Sequence, residues 1–535
     1  MIFLNTILTN GKIYIDKNNF QESIFIENGI IKEVGSNVAI LKNQANNIID
    51  LQGKTVLPGL NDSHLHIYQV GEAMSLCNLV PAKSIDDVIE IGKHFLEENE
   101  GINFLKGRGW NQDYFISGES RLLNRFDLDK ISTEIPIVFD RVCGHVVTGN
   151  TKALEMLSIN ENVTVEGGEI YLGEDGKPNG IFTENATAIL KYFNPEKNED
   201  DIERIFIKAA DYALSLGITS VQSCDIMNKD FQSMFNIIHN IYDNQKTKLR
   251  YSHQFNFQDI NNFKTYLETE FKTGQYDERF LSRGALKLFK DGSLGARTAL
   301  MLEDYADAPG TRGVSALSDT QLQNLCDLAT ENGIPVVTHA IGSGAVESVI
   351  NAYENTMNDS ENSLRHGIVH CQITNKAQLN RISNLNIPVM FQPIFLDYDT
   401  KIVESRVGRE LAKTSYAFNT LYNLGVPVSL GTDSPVEPCN PFPNIYCAVN
   451  SLDLDGNPKG GFNPSERMSV EDAVDAYTIG SAYNEFKEDF KGRLNPGYVA
   501  DLIVLDQDIF TIDPIKIKDI KVDITMVDGE IVYKR

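Results

Sequence analysis

The chain has 535 residues, of which 42% are hydrophobic and 23% charged, so its composition is that of a folded globular protein rather than a disordered one. Its 48 basic and 74 acidic side chains give a formal net charge of −26, which argues against nucleic acid and anionic membrane surfaces as partners. At roughly 150 residues per domain, the length predicts three or four domains, although a single α/β barrel accounts for much of such a length.

The beginning of the chain does not resemble an export signal. It lacks a basic region and becomes polar at Asn5, and no stretch approaches the roughly 20 apolar residues of a membrane span. An odd number of dispersed cysteines without a CxxC pair is typical of reduced thiols, most of them buried. We therefore expect a cytoplasmic protein. The seven cysteines are Cys77, Cys143, Cys224, Cys326, Cys371, Cys439 and Cys447.

Both chain ends predict short β-strands. Residues 1–57 alternate in hydrophobicity and contain Asn-Gly turns that begin at Asn10 and Asn28, and residues 497–535 contain further strand patterns. Neither end is long enough to form a sandwich alone. We therefore expect residues 1–57 and 489–535 to pair into one small β-sandwich domain.

Between the chain ends, eight β-rich runs alternate with helical patterns. Most runs are dense in Val, Ile and Leu, which is typical of buried parallel strands. At 318–333, Ser318 and Gln321 predict a capping box at the start of one helix. This alternation predicts an α/β fold, a (β/α)8 barrel of the TIM type at residues 58–488, and no GxGxxG motif favours an open doubly wound sheet. The runs are 55–66, 217–225, 248–256, 284–292, 334–342, 365–372, 387–393 and 426–435.

The connection between the first two runs spans about 150 residues, far more than an ordinary βα loop. We predict that residues 72–197 form an insertion within the barrel that shapes the substrate pocket. Its sequence predicts one hairpin at 167–182, around an Asp-Gly turn, and another at 108–115.

Side chains that bind metals or transfer protons occur at the ends of several predicted strands. His64 and His66 alternate at the end of the first run, so both imidazoles point the same way. Because strand ends converge on one mouth of a barrel, these two histidines and four further residues, six in all, together predict an active site. Taken singly, each is better explained as a hydrogen-bonded core histidine, a capping aspartate or a snorkelling lysine. The other four residues are Lys287, His339, His370 and Asp433.

The six residues lie within a series of sequence motifs: LPGLNDSHLH (57–66), KLFKDGSLGART (287–298), THAIG (338–342), RHGIVHCQ (365–372) and GTDSP (431–435). These motifs resemble those of the amidohydrolase superfamily, within it the third family, which includes N-substituted formamide deformylase-like enzymes. The order and spacing of the motifs are together highly specific, and they extend over nearly the whole chain. Many members carry Glu before the sixth-strand histidine, whereas this chain has Val369. This departure bears on the choice of substrate and on the tuning of the site rather than on the metal ligands. The other motifs that match are RGWNQD (108–113), CGHVVTGNTKAL (143–154), GKPNGIFTENA (176–186) and GRLNPGYVADLIVLD (492–506).

The resemblance implies two divalent metal ions, for which zinc is expected. His64 and His66 would bind the more buried ion, and His339 and His370 the more exposed one. Lys287, carboxylated by CO2 to a carbamate, would bridge both ions, because a carbamate binds hard cations as a carboxylate does.

The resemblance also implies the residues that act on the substrate. Asp433 would contact a metal and transfer the proton. His145 would lie near the scissile carbonyl as a catalytic and substrate-binding residue, and Trp110 would line the pocket. For His145 and Trp110 an ordinary structural role is an equal alternative. The roles of Glu184, Asp291 and Arg297 stay open, with helix capping and loop bracing as alternatives.

We therefore expect a metal-dependent amidohydrolase that cleaves a linear, non-peptide amide C–N bond, such as that of an N-formyl or N-acyl amine, by attack of a metal-bridging hydroxide. One alternative is a hydrolase of a cyclic amide, carbamate or ester with the same metal centre. Another is a non-catalytic ligand-binding homologue. The expected partner is a small-molecule amide, with no nucleic acid or membrane, and a homodimer is common in the family.

Overall fold

The computed structural model describes residues 5–142, 145–165, 167–191, 193, 197–226, 231–270, 276–357 and 361–535. The chain divides into two compact units, one of residues up to Val70 together with Ile207–Arg535, and one of Gly71–Phe206. Cys143 lies outside the described residues, and the six described cysteines are unpaired and buried. Within the described ranges, no helix is long and apolar enough to cross a membrane.

The first unit contains an eight-stranded parallel sheet whose strands pair in chain order. Strand 8 returns to strand 1, where the Asp433 N–H donates to the His64 carbonyl at 2.8 Å and the His66 N–H to the Ser434 carbonyl at 2.9 Å. The sheet is thus nearly closed, which confirms the predicted TIM-like barrel, and all eight predicted runs contribute a strand. We number as barrel strands 1 to 8 the segments Leu60–Leu65, Ile218–Ser223, Arg250–Asn256, Leu281–Phe289, Val336–Ala340, Gly367–His370, Val389–Phe391 and Val428–Leu430.

Helices follow the barrel strands, as the periodicity predicts. Helix Asp319–Glu331 begins with the predicted capping box, in which the Ser318 hydroxyl accepts the Gln321 N–H and the Gln321 side chain accepts the Ser318 N–H. The α-helices after the strands of the first unit are Phe231–Asp243, Ile260–Glu268, Asp319–Glu331, Ser343–Met357, Lys376–Asn384, Leu396–Asp399, Val403–Val407, Arg409–Ala412, Phe418–Asn423, Pro441–Asn450, Val470–Ala476 and Ile479–Asn484, and helices Ile67–Met74 and Glu199–Ser215 flank the second unit in sequence.

Both chain ends contribute strands to one six-stranded sheet in the first unit. A four-stranded sheet comes from the N-terminal part alone, and apolar side chains of both sheets, such as Ile24, Ile26, Val56 and Leu502, share one buried cluster. The chain ends belong to the same compact unit as the barrel, so the separate β-sandwich domain stays a prediction. In sheet order the strands are Glu530–Lys534, Val522–Val527, Leu502–Leu505, Thr55–Pro58, Lys12–Asp16 and Asn19–Gln21, and in the smaller sheet Ile30–Val34, Ile24–Glu27, Thr6–Thr9 and Asn47–Asp50.

The run 55–66 is not one strand, which corrects the sequence-based boundary. Thr55–Pro58 pairs within the terminal sheet, and barrel strand 1 begins only at Leu60. Pro58 has no N–H to continue a ladder, and a side chain at Gly59 would clash with Thr219, so the chain changes sheets here.

The second unit is built on a six-stranded sheet. The hairpin predicted at 167–182 is confirmed, because Gly168–Leu172 pairs antiparallel with Pro178–Glu184. The hairpin predicted at 108–115 is wrong: strand Leu105–Trp110 pairs parallel with both neighbours, and the Asn111 side chain then caps a 3-10 turn by accepting the Asp113 N–H. The predicted insertion at 72–197 falls within this unit. In sheet order the strands are Gly168–Leu172, Pro178–Glu184, Val146–Gly149, Ile137–Arg141, Leu105–Trp110 and Leu76–Asn78, and the helices are Ile85–Glu98, Arg125–Asp129, Thr151–Met156 and Thr187–Lys191.

His253 on barrel strand 3 is a fully buried histidine whose two ring nitrogens have no hydrogen-bond partner among the described residues. It stacks between aromatic rings of Phe235 and Phe255, and His239 and Tyr276 also face it. Burial, with a smaller contribution from the charge of His239, holds the pKa of His253 well below its usual value of 6.5. Protonation of this ring therefore opposes folding.

We expect replacement of His253 by phenylalanine to reduce the acid sensitivity of the fold. The unfolded chain binds a proton at this position below about pH 6.5, whereas the folded chain does not, so His253 lowers stability as the pH falls through that range. The urea midpoint of the His253→Phe variant should decline less between about pH 7.5 and about pH 5 than that of the parent protein. The exposed His94 provides the control as His94→Gln, and an unchanged decline in His253→Phe would contradict the prediction.

Candidate metal centre

Three of the predicted ligands meet where barrel strands 8 and 1 come together. His64 Nε2 and His66 Nε2 each lie 3.4 Å from Asp433 Oδ1, and one ligand atom from each residue lies within 4.8 Å of the others. A side chain at Gly431 could not fit, because its Cβ would lie 2.7 Å from Asp62 Oδ1 and 2.7 Å from the main-chain nitrogen of His64. The absence of a side chain there lets strand 8 approach strand 1 closely enough to bring the three ligands together.

His339 and His370, at the ends of barrel strands 5 and 6, lie beside this group. The His370 ring is 4.4 Å from that of His339 and 5.7 Å from that of His64, measured between centroids. His370 has φ 76° and Asp433 φ 56°, in the left-handed region that non-glycine residues seldom adopt. Such backbone conformations cluster at functional sites, where surrounding structure holds them in place.

Lys287 and Lys290 occupy contrasting environments. Lys287 is completely buried on barrel strand 4, and its Nζ has no hydrogen-bond partner among the described residues. The amine of Lys290 donates to Ser315 Oγ at 2.9 Å, to the Leu317 carbonyl at 2.6 Å and to Asp319 Oδ1 at 2.7 Å. Lys290 is therefore fully engaged in structure, whereas the amine of Lys287 is available to the site.

Burial lowers the pKa of three residues of the centre, whereas the pKa of His66 is raised to about 11, because its hydrogen bonds to Asp433 and to the Cys224 carbonyl outweigh the effect of its burial. Burial, reinforced by the charge of Lys287, holds the pKa of His64 well below its usual range, so this ring is neutral. Burial and the neighbouring His339 do the same to the pKa of His370. Burial also lowers the pKa of Lys287 from 10.5 to about 8. Neutral imidazoles are the form that binds metals.

Two histidines are oriented by main-chain carbonyls, which accept hydrogen bonds and cannot donate them. His66 Nδ1 donates to the Cys224 carbonyl at 2.8 Å, so Nε2, which faces Asp433, is the nitrogen that would bind a metal once the ring is neutral. His339 Nε2 donates to the Gly292 carbonyl at 3.1 Å, which leaves Nδ1 as the acceptor. This arrangement is common for metal-binding histidines.

The residues present fit a divalent metal. His64 Nε2, Lys287 Nζ and His370 Nδ1 are buried and lack hydrogen-bond partners among the described residues, although buried polar atoms are normally satisfied. Four imidazoles and a carboxylate form a donor set of the kind that zinc and similar ions accept.

The comparisons with known proteins agree with this geometry. A family model described as "Amidohydrolase family" matches residues 47–533. The chain belongs to the amidohydrolase family. It is 29% identical to "Putative amidohydrolase YtcJ" of Bacillus subtilis over 99% of this chain and 100% of that protein. It is 24% identical to "N-substituted formamide deformylase" of Arthrobacter pascens over 99% and 98% of the two chains.

A solved structure extends the likeness to the fold. The "uncharacterized metal-dependent hydrolase" from Pyrococcus furiosus is 29% identical, with a TM-score of 0.75 over 95% of this chain and 100% of that one. The resemblance inferred from the motifs is thus confirmed, including the third amidohydrolase family. This family member is a hydrolase, and its family implies a divalent metal.

His145 and Trp110, the two residues predicted to contact the substrate, lie in the second unit. His145 Nδ1 lies 3.0 Å from Glu184 Oε2, and both side chains are exposed. Trp110 is completely buried in an apolar cluster, with its indole nitrogen 3.4 Å from the Phe139 carbonyl. The burial of Trp110 agrees with the core alternative, and the substrate roles of both residues stay predictions.

Asp291 and Arg297, whose roles were open, take part in loop structure. Asp291 accepts the N–H groups of Leu300, Ile341 and Gly342, which brace the chain before helix Ser343–Met357, and its Oδ1 lies 3.4 Å from His339 Nε2. Arg297 forms a two-point ion pair with Asp307.

Val369 lies in an apolar cluster of the barrel with Ala285, Val337 and Met390. A glutamate here would be surrounded by apolar side chains, so Val369 is compatible with its surroundings.

Sequence reasoning missed two polar residues that support the ligands. Asp62 accepts the N–H groups of His64 and Thr432 and the Thr432 hydroxyl, so it joins strand 1 to the loop after strand 8. Gln254 on barrel strand 3 contacts His64. Both could have been found from sequence, because each is a polar residue within a run that the pattern predicts to be buried.

Proposed function

We propose that this amidohydrolase family member hydrolyses a linear, non-peptide amide C–N bond, such as that of an N-formyl or N-acyl amine. The observation that carries the proposal is the grouping of His64, His66 and Asp433, whose ligand atoms lie within 4.8 Å of one another, with His64 Nε2 buried and without a hydrogen-bond partner among the described residues. His64, His66, His339, His370, Asp433 and a carboxylated Lys287 would hold two divalent ions, with zinc expected. The ions, when bound, supply Lewis acidity for the carbonyl and lower the pKa of a water molecule.

Lys287 is suited to carboxylation. Only the neutral amine reacts with CO2, forming an N–C bond and releasing one proton to give an anionic carbamate. With its pKa lowered to about 8, a substantial fraction of Lys287 is neutral near physiological pH. The carbamate would then supply the charge that an amine lacks as a ligand.

Asp433 is placed to move the proton that amide cleavage requires. An amine leaves poorly as an anion, so the departing nitrogen must receive a proton as the C–N bond breaks. Asp433 is buried, and the hydrogen bond from its main-chain N–H to the His64 carbonyl fixes its position relative to His64 Nε2 and His66 Nε2. In this proposal its carboxylate takes the proton from the attacking water and delivers it to the nitrogen.

The choice of a linear amide rests on a relative. The printed name "N-substituted formamide deformylase" belongs to a protein 24% identical over nearly the full length. Cyclic amides, carbamates and esters are outcomes that the substrate test must separate, because specificity in this fold lies in loops rather than in the metal ligands. We further propose a cytoplasmic location on the basis of the unpaired, buried cysteines, and a homodimer on the basis of the family resemblance.

Metal removal tests the proposal directly. We expect the purified protein to contain about two divalent ions per chain, to lose amidase activity with a chelator and to regain it with zinc. Elemental analysis and a panel of N-formyl amines, N-acyl amines, cyclic amides, carbamates and esters provide the measurements. Full amidase activity in metal-free protein would overturn the metal assignment, and preferential cleavage of a cyclic amide or ester would overturn the substrate class.

A further inference from the structure

We propose that Gln254 is a positioning residue that fixes the tautomer of His64 and so keeps Nε2 of that ring available to a metal. The proposal rests on the proposed function only in taking His64 as a ligand. Gln254 is almost completely buried on barrel strand 3, and its Oε1 lies 2.6 Å from His64 Nδ1.

The orientation of the Gln254 amide follows from its second contact. Its Nε2 lies 3.1 Å from the main-chain carbonyl of Ser63, which accepts hydrogen bonds and cannot donate them. The amide nitrogen must therefore face Ser63 and the amide oxygen must face His64. Because that oxygen only accepts, His64 Nδ1 must carry the proton.

The position of the proton determines what the other ring nitrogen can do. With Nδ1 protonated and the ring neutral, the lone pair of His64 is on Nε2. This nitrogen has no hydrogen-bond partner among the described residues and lies 3.4 Å from Asp433 Oδ1. Gln254 thus holds His64 in the one tautomer that presents a ligand atom towards Asp433.

Gln254 differs from the groups that orient the neighbouring histidines. His66 and His339 donate to main-chain carbonyls, of Cys224 and Gly292, which no side-chain substitution removes. His64 depends on a side chain instead. The tautomer of His64 can therefore be changed by mutation of Gln254.

The surroundings of Gln254 provide a matched control residue for such a mutation. Gln254 also lines a cavity of about 240 Å³, together with residues from the amino ends of barrel strands 4 and 5 and with Gln222 of strand 2. Gln222 is likewise buried and donates to a main-chain carbonyl, that of Ser481, at 2.8 Å. It contacts no predicted ligand and is a matched control.

Two substitutions separate hydrogen bonding from packing. Gln254→Leu keeps a similar shape but cannot accept the His64 proton, so we expect metal affinity to fall by roughly 10- to 100-fold. Gln254→Glu keeps an acceptor oxygen for His64 while it loses the bond to Ser63, so its affinity should stay much closer to that of the parent protein. Gln222→Leu should leave metal affinity unchanged.

The measurements do not depend on substrate turnover. Zinc affinity is determined by competition with a chromophoric chelator, and the His64 tautomer by side-chain nitrogen NMR of the metal-free protein. Loss of the Nδ1-protonated form in Gln254→Leu, but not in Gln254→Glu or Gln222→Leu, supports the proposal. An unchanged tautomer and affinity in Gln254→Leu would overturn it, as would an equal loss in Gln254→Glu and Gln254→Leu. Absence of amidase activity alongside the expected affinity changes would count against the proposed function alone.

Discussion

Replacement of Asp433 by asparagine should lower kcat for amide hydrolysis by roughly 100- to 10,000-fold while the protein stays folded. Asparagine has nearly the same shape as aspartate, so the main-chain bond to His64 can remain, but an amide cannot take up and release the proton that the leaving amine needs. The measurement is kcat at saturating metal, accompanied by circular dichroism and by elemental analysis of the variant.

Asp453 provides a matched control for this substitution. It is also buried, and it accepts the Asn457 N–H at 2.7 Å, a bond that asparagine can maintain. Asp453→Asn should therefore retain nearly full activity. If Asp433→Asn kept kcat within about threefold of the parent value, proton transfer by Asp433 would be excluded, because that step accounts for far larger factors.

Replacement of Lys287 by methionine should abolish tight metal binding and lower activity by at least ~100-fold. The same variant should be at least as stable as the parent protein when both are free of metal. The buried Lys287 amine has no hydrogen-bond partner among the described residues, and its contact with the Phe289 ring, 3.9 Å from Nζ to the ring centroid, does not replace the hydrogen bonds that the amine would make with water. An apolar side chain of similar length therefore removes the cost of burying it. Metal content, activity and the thermal midpoint of the metal-free protein are the three measurements.

Lys290 is the matched control, because it lies three positions further along the chain. Its amine forms three hydrogen bonds, so Lys290→Met should destabilise the fold by about 1–3 kcal/mol while metal content is unchanged. Lys287→Met should thus lose the metal without losing stability, whereas Lys290→Met should lose stability without losing the metal. Normal metal content in Lys287→Met would show that this lysine is not a ligand.

The barrel, and the meeting of His64, His66 and Asp433 at one of its ends, could be predicted because both depend on local pattern and on one topological rule. Eight apolar runs, each followed by a helical pattern, define parallel strands in chain order, and strand ends in a barrel share one mouth. His64 and Asp433 are far apart in sequence, yet strands 1 and 8 must meet when the sheet closes. The prediction that their side chains meet needed no distance information.

Other features could not be predicted, because they depend on contacts between distant segments. Within the run from Thr55 to His66, nothing in the sequence shows that Thr55–Pro58 pairs with Leu502–Leu505 and so belongs to a different sheet from Leu60–Leu65. Regular strand alternation does not predict the positive φ of His370. Similarly, the Asn10 turn leads from one sheet to another, whereas the Asn28 turn closes a hairpin, although both are Asn-Gly sequences.

The sheet that joins both chain ends has a consequence for biosynthesis. Val56 and Leu57 emerge from the ribosome about 450 residues before their partner strand Leu502–Leu505. At ~5–20 residues per second, these apolar side chains wait roughly 20 to 90 s for their partner. Throughout that interval Thr55–Pro58 can pair with Lys12–Asp16 on one side only, so its other edge is unpaired, and such edges promote aggregation. Nascent chains of this protein should therefore depend on chaperones until strand Leu502–Leu505 has been synthesised.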